Sequence, residues 1–316
     1  QARYRDWIAG LKWDWCISRQ RYLGVTFPVW YCQNCGEVIL ADAAQLPVDP
    51  FELSPPAPCP RCGGARFEPE CDTMDTWATS SLTPQIVGQW QSDPALYARV
   101  YPFSLRPQAH EIIRTWAFYT IAKSHHHFSA LPWKEIAISG WALAPQGAGK
   151  ISKSRGGGPI APMAMIERYS ADAVRYWAAS TSFGKDAYIN EDKIQAGARL
   201  VNKLWNVAQF SQKFLEGYSP SPTPTQGEGE GIHLSLADRW ILSRTQRLIR
   251  RVTDLFREYE YATAKSETET FFWNELADNY LEMAKLRLYE GAPQEADGAR
   301  WTLYHVFLTL LKLFAP

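Results

Sequence analysis

Toward its C-terminal end the chain repeats apolar residues at helical spacing in three stretches. They are Ile241, Leu248, Val252, Leu255, Phe256 and Tyr259; then Trp273, Ala277, Tyr280, Leu281, Ala284 and Leu288; then Leu303, Val306, Phe307, Leu310 and Phe314. A period near 3.6 residues gathers each set on one face, so each stretch is predicted to be an amphipathic helix. Ser235, with Asp238 three residues on, makes a capping-box-like start for the first. A fourth helix is expected at about 193–215, and short connections between the four imply an antiparallel bundle. Residues 216–232 interrupt this pattern. A run of Ser, Pro and Thr followed by alternating Gly and Glu leaves almost nothing to bury, which reads as a surface excursion or linker.

Upstream the pattern is mixed. Residues 13–31 are aromatic and β-branched, with turn residues Gly24 and Pro28, and predict short strands. Helical spacing is read over 106–126, through Ile112, Ile113, Trp116, Ala117 and Ile121. Residues 135–141 read as a short strand broken by Gly140, and 170–180, with Ala171, Val174 and Trp177, as a helix. Strand, loop and helix in that order are half of a doubly wound α/β unit. The expected organisation is a strand-rich segment 1–30, a Cys-rich module 31–72, an α/β half-domain with a parallel sheet at 73–184, and an all-α bundle at 185–316.

Composition adds three constraints. With 316 residues, 46% of them hydrophobic, the chain can build two sizeable cores. Lys plus Arg and Asp plus Glu number 33 each, so the long-range field is weak and a polyanionic partner must meet a local patch. No apolar stretch approaches the roughly 20 residues that span a bilayer, and Arg3, Arg5 and Asp6 leave no signal-peptide core. A cytoplasmic protein without a membrane partner is expected. The chain opens on Gln1 and stops at Phe314, Ala315 and Pro316 inside an apolar helical pattern, so it reads as a piece of something longer.

Two clusters carry chemistry. Cys32-x-x-Cys35 and Cys59-x-x-Cys62 are each flanked by glycine, at Gly36 and at Gly63 and Gly64. A Cys-x-x-Cys turn offers two thiolates along one tetrahedral edge, and two such turns complete a closed structural zinc site that holds a fold together and does not catalyse. Neither pair opens a helix as a redox motif would. Cys16 and Cys71 are expected to be packed thiols, and His125, His126 and His127 a solvated helix end. The second cluster is Lys150, Ile151, Ser152, Lys153 and Ser154, followed by Arg155 and three glycines. Two amines three residues apart can reach one polyphosphate, with glycines nearby to turn backbone N–H groups toward an anion. It is not a nucleotide P-loop, because Ala144 and Ile151 stand where Gly and Ser or Thr are needed.

The stretches Trp15 to Gln20 (WCISRQ), Asp75 to Ser81 (DTWATSS), His110 to Trp116 (HEIIRTW) and Lys150 to Ser154 (KISKS) resemble, in order and spacing, the class I aminoacyl-tRNA synthetases, closest to the valine subgroup. Trp240 to Leu242 and Phe272 to Glu282 resemble the helices of that subgroup's anticodon-binding domain. The resemblance implies a Rossmann-like half-domain with an inserted zinc-ribbon module, residues 1–30 returning from an editing insert, and a helical anticodon-binding domain. It implies ATP-dependent formation of valyl-adenylate and transfer to tRNA(Val). ATP and L-valine are then substrates, Mg is expected with the ATP, zinc is structural, and the enzyme is a monomer. Lys150 and Lys153 would neutralise the departing pyrophosphate, with Lys153 the more important. Ile151, Ser152 and Ser154 would complete the ATP loop, His110 would face the adenylate, and Gly140 would admit the ribose. Asp75 and Trp77 would line the amino acid pocket.

Three departures qualify this picture. Ile151 replaces the family's usual Met, Gly157 stands where many relatives have Asn, and no His-x-Gly-His element occurs in residues 1–316. That element belongs to the other half of the catalytic domain, so the chain alone is expected to be inactive. Two alternatives stay open at this stage: isoleucine or leucine specificity, and a non-catalytic RNA-binding protein derived from a synthetase. Arg244, Arg247, Arg250 and Arg251 sit at helical spacings and make either a phosphate-contacting face or a solvated one.

Overall fold

The computed structural model describes residues 2–12, 14–144, 161–220 and 232–316. They fall into two compact units, Gln1–Ser139 and Gly140–Pro316.

The first unit opens on helix α1 (Ala2–Gly10), so the segment predicted to be strand-rich begins helical. Strand β1 (Ser18–Arg19) follows and pairs antiparallel with β5 (Thr73–Met74). Between them lies an antiparallel three-stranded sheet of β2 (Val29–Cys32), β3 (Val38–Leu40) and β4 (Phe67–Pro69), with β2 in the centre. Trp30 anchors this module: it is buried, and its indole N–H donates to the Pro50 and Leu53 carbonyls. Short helices α2 (Thr76–Ser80), α3 (Thr83–Val87) and α4 (Pro94–Val100) lead to β6 (Phe103–Ala109). A 3₁₀ turn (His110–Ile112) and a π segment (Ile113–Ala117) then run into α5 (Phe118–Phe128), which returns to β7 (Trp133–Ser139), parallel to β6.

Helix was expected from 106, but residues 106–109 belong to β6. Pro107 lacks the N–H that a helix interior needs, and the 3.6-residue spacing starts only at Ile112. His125, His126 and His127 form the exposed last turn of α5, as expected. Cys16 and Cys71 are exposed and do not pack.

The second unit begins with β8 (Ala142–Leu143), which pairs in parallel with the later strand β9 (Ala187–Tyr188). Helices α6 (Pro162–Tyr169) and α7 (Ala171–Ala178) lie between them, the second capped by Ser170 at the predicted start. Met165, Ala173, Ile189 and Ile194 form a small core there. Helices α8 (Glu191–Leu215), α9 (Leu236–Arg257), α10 (Tyr261–Thr270), a π segment (Phe271–Tyr280), α11 (Leu281–Glu290) and α12 (Pro293–Phe314) share one larger core. Most of the predicted stripe residues fill it or pack against it. Ala277 is buried outside that cluster, Phe256 and Tyr259 stay 38% exposed at and just past the last turn of α9, and Thr245 is buried, its hydroxyl donating to the Ile241 carbonyl at 2.8 Å. No helix among the described residues is long and apolar enough to cross a membrane.

Candidate active site

β6, α5 and β7 make a strand–helix–strand unit with parallel strands, and such sheets bind ligands beyond the carboxyl ends of their strands. Ala109 pairs with Ser139, so the carboxyl ends lie side by side. His110 is the first residue past β6 and opens the 3₁₀ turn. Gly140 is the first past β7, and the structure supplies a reason for that glycine. A Cβ there would sit 2.1 Å from the Lys185 carbonyl oxygen and 2.6 Å from the Asp186 nitrogen. The close approach is therefore made first by the chain's own backbone.

In the first unit, Asp75 is 3% exposed and receives the Arg19 guanidinium at 2.6 Å. Its other oxygen accepts the Trp77 N–H at 3.1 Å and caps α2. Arg19 is braced in turn by donating to the Cys16 and Ser18 carbonyls, each at 2.7 Å. Trp77 rides half-buried on a helix docked by two further contacts: the Trp116 indole donates to the Ser80 carbonyl at 3.0 Å, and the Lys123 ammonium donates to the Ala78 carbonyl. Burial, and after it the Asp75 charge, pushes the Tyr119 hydroxyl up to about 12, with Arg19 opposing. Trp15 stands edge-on to that ring at 5.4 Å. Asp75 thus works first as an internal counter-ion and cap. Arg19 and Tyr119, which residue type alone did not single out, complete its surroundings. The signal for Arg19 lay inside the 15–20 stretch; a buried tyrosine in a helical stripe gives none. Lys150, Ile151, Ser152, Lys153 and Ser154 lie outside the described residues.

The two Cys-x-x-Cys turns are built alike. In each, the N–H of the residue four past the first Cys, Gly36 or Gly63, donates back to that Cys carbonyl at 2.8 Å. Both glycines have positive φ, 73° and 70°, which a side chain would resist. The sulfurs of Cys32 and Cys62 lie 3.6 Å apart, those of Cys35 and Cys59 3.7 Å, and all four within 4.8 Å of one another. Sulfurs each about 2.3 Å from a tetrahedral zinc stand about 3.8 Å apart, close to the two shortest separations here, so the cluster could hold one metal ion. Burial opposes ionisation of Cys32, yet N–H groups of Asn34 and Cys35 and the Cys62 and Cys59 thiols bring it down to about 7. At Cys35 the Glu37 amide favours the thiolate, but burial and the other three sulfurs hold it at about 12. Four crowded thiols cannot all ionise without a cation among them.

On α9, Arg244 is clamped by Glu275 and Arg251 by Glu267 at 3.1 Å. Arg247 and Arg250 are exposed and have no carboxylate partner among the described residues; Arg250 Nε donates to the Gln246 carbonyl at 3.4 Å. Arg244, Arg247 and Arg251 line one cavity together with Glu267 and Glu275, and Arg250 is not part of that lining.

The comparisons with known proteins fit this architecture. Residues 1–190 match the family model of class I tRNA synthetases (I, L, M and V), and residues 238–316 that of the anticodon-binding domain of tRNA ligase. The chain belongs to the class I tRNA synthetases of the I, L, M and V group. Within it, the chain is 45% identical to the valine--tRNA ligase of Rickettsia prowazekii (strain Madrid E) and 44% identical to that of Rickettsia typhi (strain ATCC VR-144 / Wilmington). Each alignment covers 100% of this chain and 40% of the relative, so the chain spans about two fifths of the curated relatives' length. Among solved structures, the Agrobacterium radiobacter K84 LeuRS in its complex with tRNA and LeuAMS matches 96% of this chain and 42% of its own at 21% identity, with a TM-score of 0.69. Mycobacterium tuberculosis methionyl-tRNA synthetase bound by methionyl-adenylate matches 99% of this chain and 54% of its own at 20% identity and a TM-score of 0.63. These two establish the fold.

Proposed function

We propose that these residues form part of a valine--tRNA ligase, which activates valine with ATP and transfers it to tRNA(Val). The observation that carries this reading is the 44–45% identity with valine--tRNA ligases in alignments that cover the whole chain. In the first step a valine carboxylate oxygen attacks the α-phosphorus of ATP, and the bond to the pyrophosphate oxygen breaks. Lys150 and Lys153 meet the negative charge that accumulates on the leaving group, an interaction strongest in the transition state. Ile151, Ser152 and Ser154 belong to the same ATP-binding segment, and Mg accompanies the ATP. His110 faces the adenylate, and the ribose lies against the backbone at Gly140. Trp77 forms an apolar wall for a small branched side chain, with Asp75 and Arg19 fixing its helix. In the second step a ribose hydroxyl of the tRNA attacks the acyl carbon and AMP departs.

A hydrophobic pocket that accepts valine can reject threonine by no more than ~10², a limit known for valine enzymes in general, so editing by another part of the protein is expected. Arg247 and Arg250 are the arginines of α9 best placed to meet tRNA phosphates, with Arg244 and Arg251 held beside them by their glutamates. The protein acts as a monomer in the cytoplasm. Aminoacylation by the complete protein tests the proposal: tRNA(Val) should accept valine and not isoleucine or leucine. Acceptance of either of those in preference would overturn the specificity.

Zinc is the metal assigned to the four cysteines, where it supplies the charge that keeps all four thiolates ionised. One zinc per chain is expected by elemental analysis, and Cys35→Ser should lower occupancy and loosen the β2–β4 module, read as early proteolysis within 31–72. Full resistance of the metal-free protein to that cleavage would contradict a structural role.

A further inference from the structure

The second unit contains a polar cavity that none of the roles above uses. Its volume is about 330 Å³, and its lining comes from α7, residues 180–188 and the first turn of α8. Trp177 and Tyr188 make an aromatic side, tied together where the indole N–H donates to the Tyr188 carbonyl at 3.1 Å. Tyr188 is 57% exposed, which leaves its ring available to a ligand.

The charge in and around the cavity is unbalanced. Lys185 and Lys193 line it, and neither amine has a hydrogen-bond or ion-pair partner among the described residues. A third ammonium stands behind the lining, since Lys265 donates to the Ser180 hydroxyl at 2.9 Å, lies over the Tyr176 ring at 3.3 Å and is near enough to Lys193 to feel its charge. Glu269, 3.7 Å from Lys265, also accepts the Tyr176 hydroxyl at 2.7 Å. The one carboxylate in the lining, Asp186, accepts the Trp141 N–H at 2.8 Å. Two unpaired amines beside an exposed aromatic ring are the components of a single-stranded nucleic acid site, where cations track the backbone and a ring stacks on a base. The aromatic side would be wasted on a bare phosphate.

We propose that this cavity holds one unstacked nucleotide of the RNA substrate, its phosphodiester between Lys185 and Lys193 and its base against Tyr188. The inference rests on the tRNA ligase reading for the identity of the RNA, and its test can fail separately. The complete protein and its Lys185→Gln, Lys193→Gln and Tyr188→Ala variants are titrated with a labelled tRNA(Val) transcript over a range of salt concentrations. Because the two amines share one phosphate, the lysine variants should between them flatten the slope of log affinity against log salt by about 0.7 to 0.9. Tyr188→Ala should weaken binding about tenfold at fixed salt and leave the slope unchanged. Valine-dependent pyrophosphate exchange, which needs no RNA, should match the parent in all three, showing that the variants are folded. Parental affinity and slope in all three, with exchange intact, would overturn the site and leave the ligase assignment standing. Absence of valine-dependent exchange in the parent would overturn that assignment instead, and slope changes at Lys185 and Lys193 would still support an RNA site.

Discussion

Lys153→Ala in the complete protein should lower the rate of valyl-adenylate formation about 10²- to 10³-fold, the usual cost of deleting one group aimed at charge that develops in the transition state. ATP carries most of its triphosphate charge before reaction, so any ground-state share of the contact would appear in KM. The added share appears as the bond to pyrophosphate lengthens and negative charge localises on its oxygens, and that share governs kcat. Lys150→Ala should cost less than Lys153→Ala, and Lys153→Arg should recover only part of the loss, because a guanidinium fork does not reproduce a point charge. Single-turnover measurement of adenylate formation checks this. A raised KM for ATP with unchanged kcat would mean that the lysine only binds substrate.

Asp238→Ala should cost about 3–5 kcal/mol of bundle stability, the range for removing one partner of a buried ion pair. Asp238 is 0% exposed and accepts from the Arg287 guanidinium at 2.6 and 2.9 Å, the Tyr280 hydroxyl at 2.6 Å and the Ser235 N–H at 2.8 Å. One carboxylate thereby joins the start of α9, the π segment and α11. Removing it strands a guanidinium that is only 16% exposed. Burial raises the Asp238 pKa, but the bonds from Arg287, Tyr280 and Ser235 outweigh it and hold the carboxyl below its usual range. A depressed folded-state pKa stabilises at every pH above the unfolded value, so this contribution disappears as pH falls below the ordinary carboxylate range. Tyr280→Phe, which deletes one bond to a charged acceptor, should cost about 1.5–3 kcal/mol. Urea unfolding followed by circular dichroism measures both variants, and loss of under 1 kcal/mol in Asp238→Ala would mean that α9, the π segment and α11 are held by packing alone.

The bundle was legible because amphipathic helices advertise themselves: Ile241, Leu248 and Val252 lie four to seven residues apart and need only one buried face. The same criterion failed at Arg106, where Pro107 and the demands of a parallel partner outweighed a spacing that begins six residues later. The cysteine module was legible because the ligands are local pairs whose turns require Gly36 and Gly63. The setting of Asp75 was not, since it depends on Arg19 coming from a distant strand, a contact that no local pattern encodes. Gly140 was read as the place where a ribose approaches the backbone, whereas the neighbour the structure sets against it is the backbone at Lys185, visible only once β8 and β9 pair.

In the function proposed above, Lys153 has a part in valine activation by the complete protein. ATP–pyrophosphate exchange by the complete protein tests it most directly. The account predicts exchange that depends on valine, exceeds that with isoleucine or leucine, and collapses in Lys153→Ala; exchange that is absent, or that survives in Lys153→Ala at the parental rate, would contradict it.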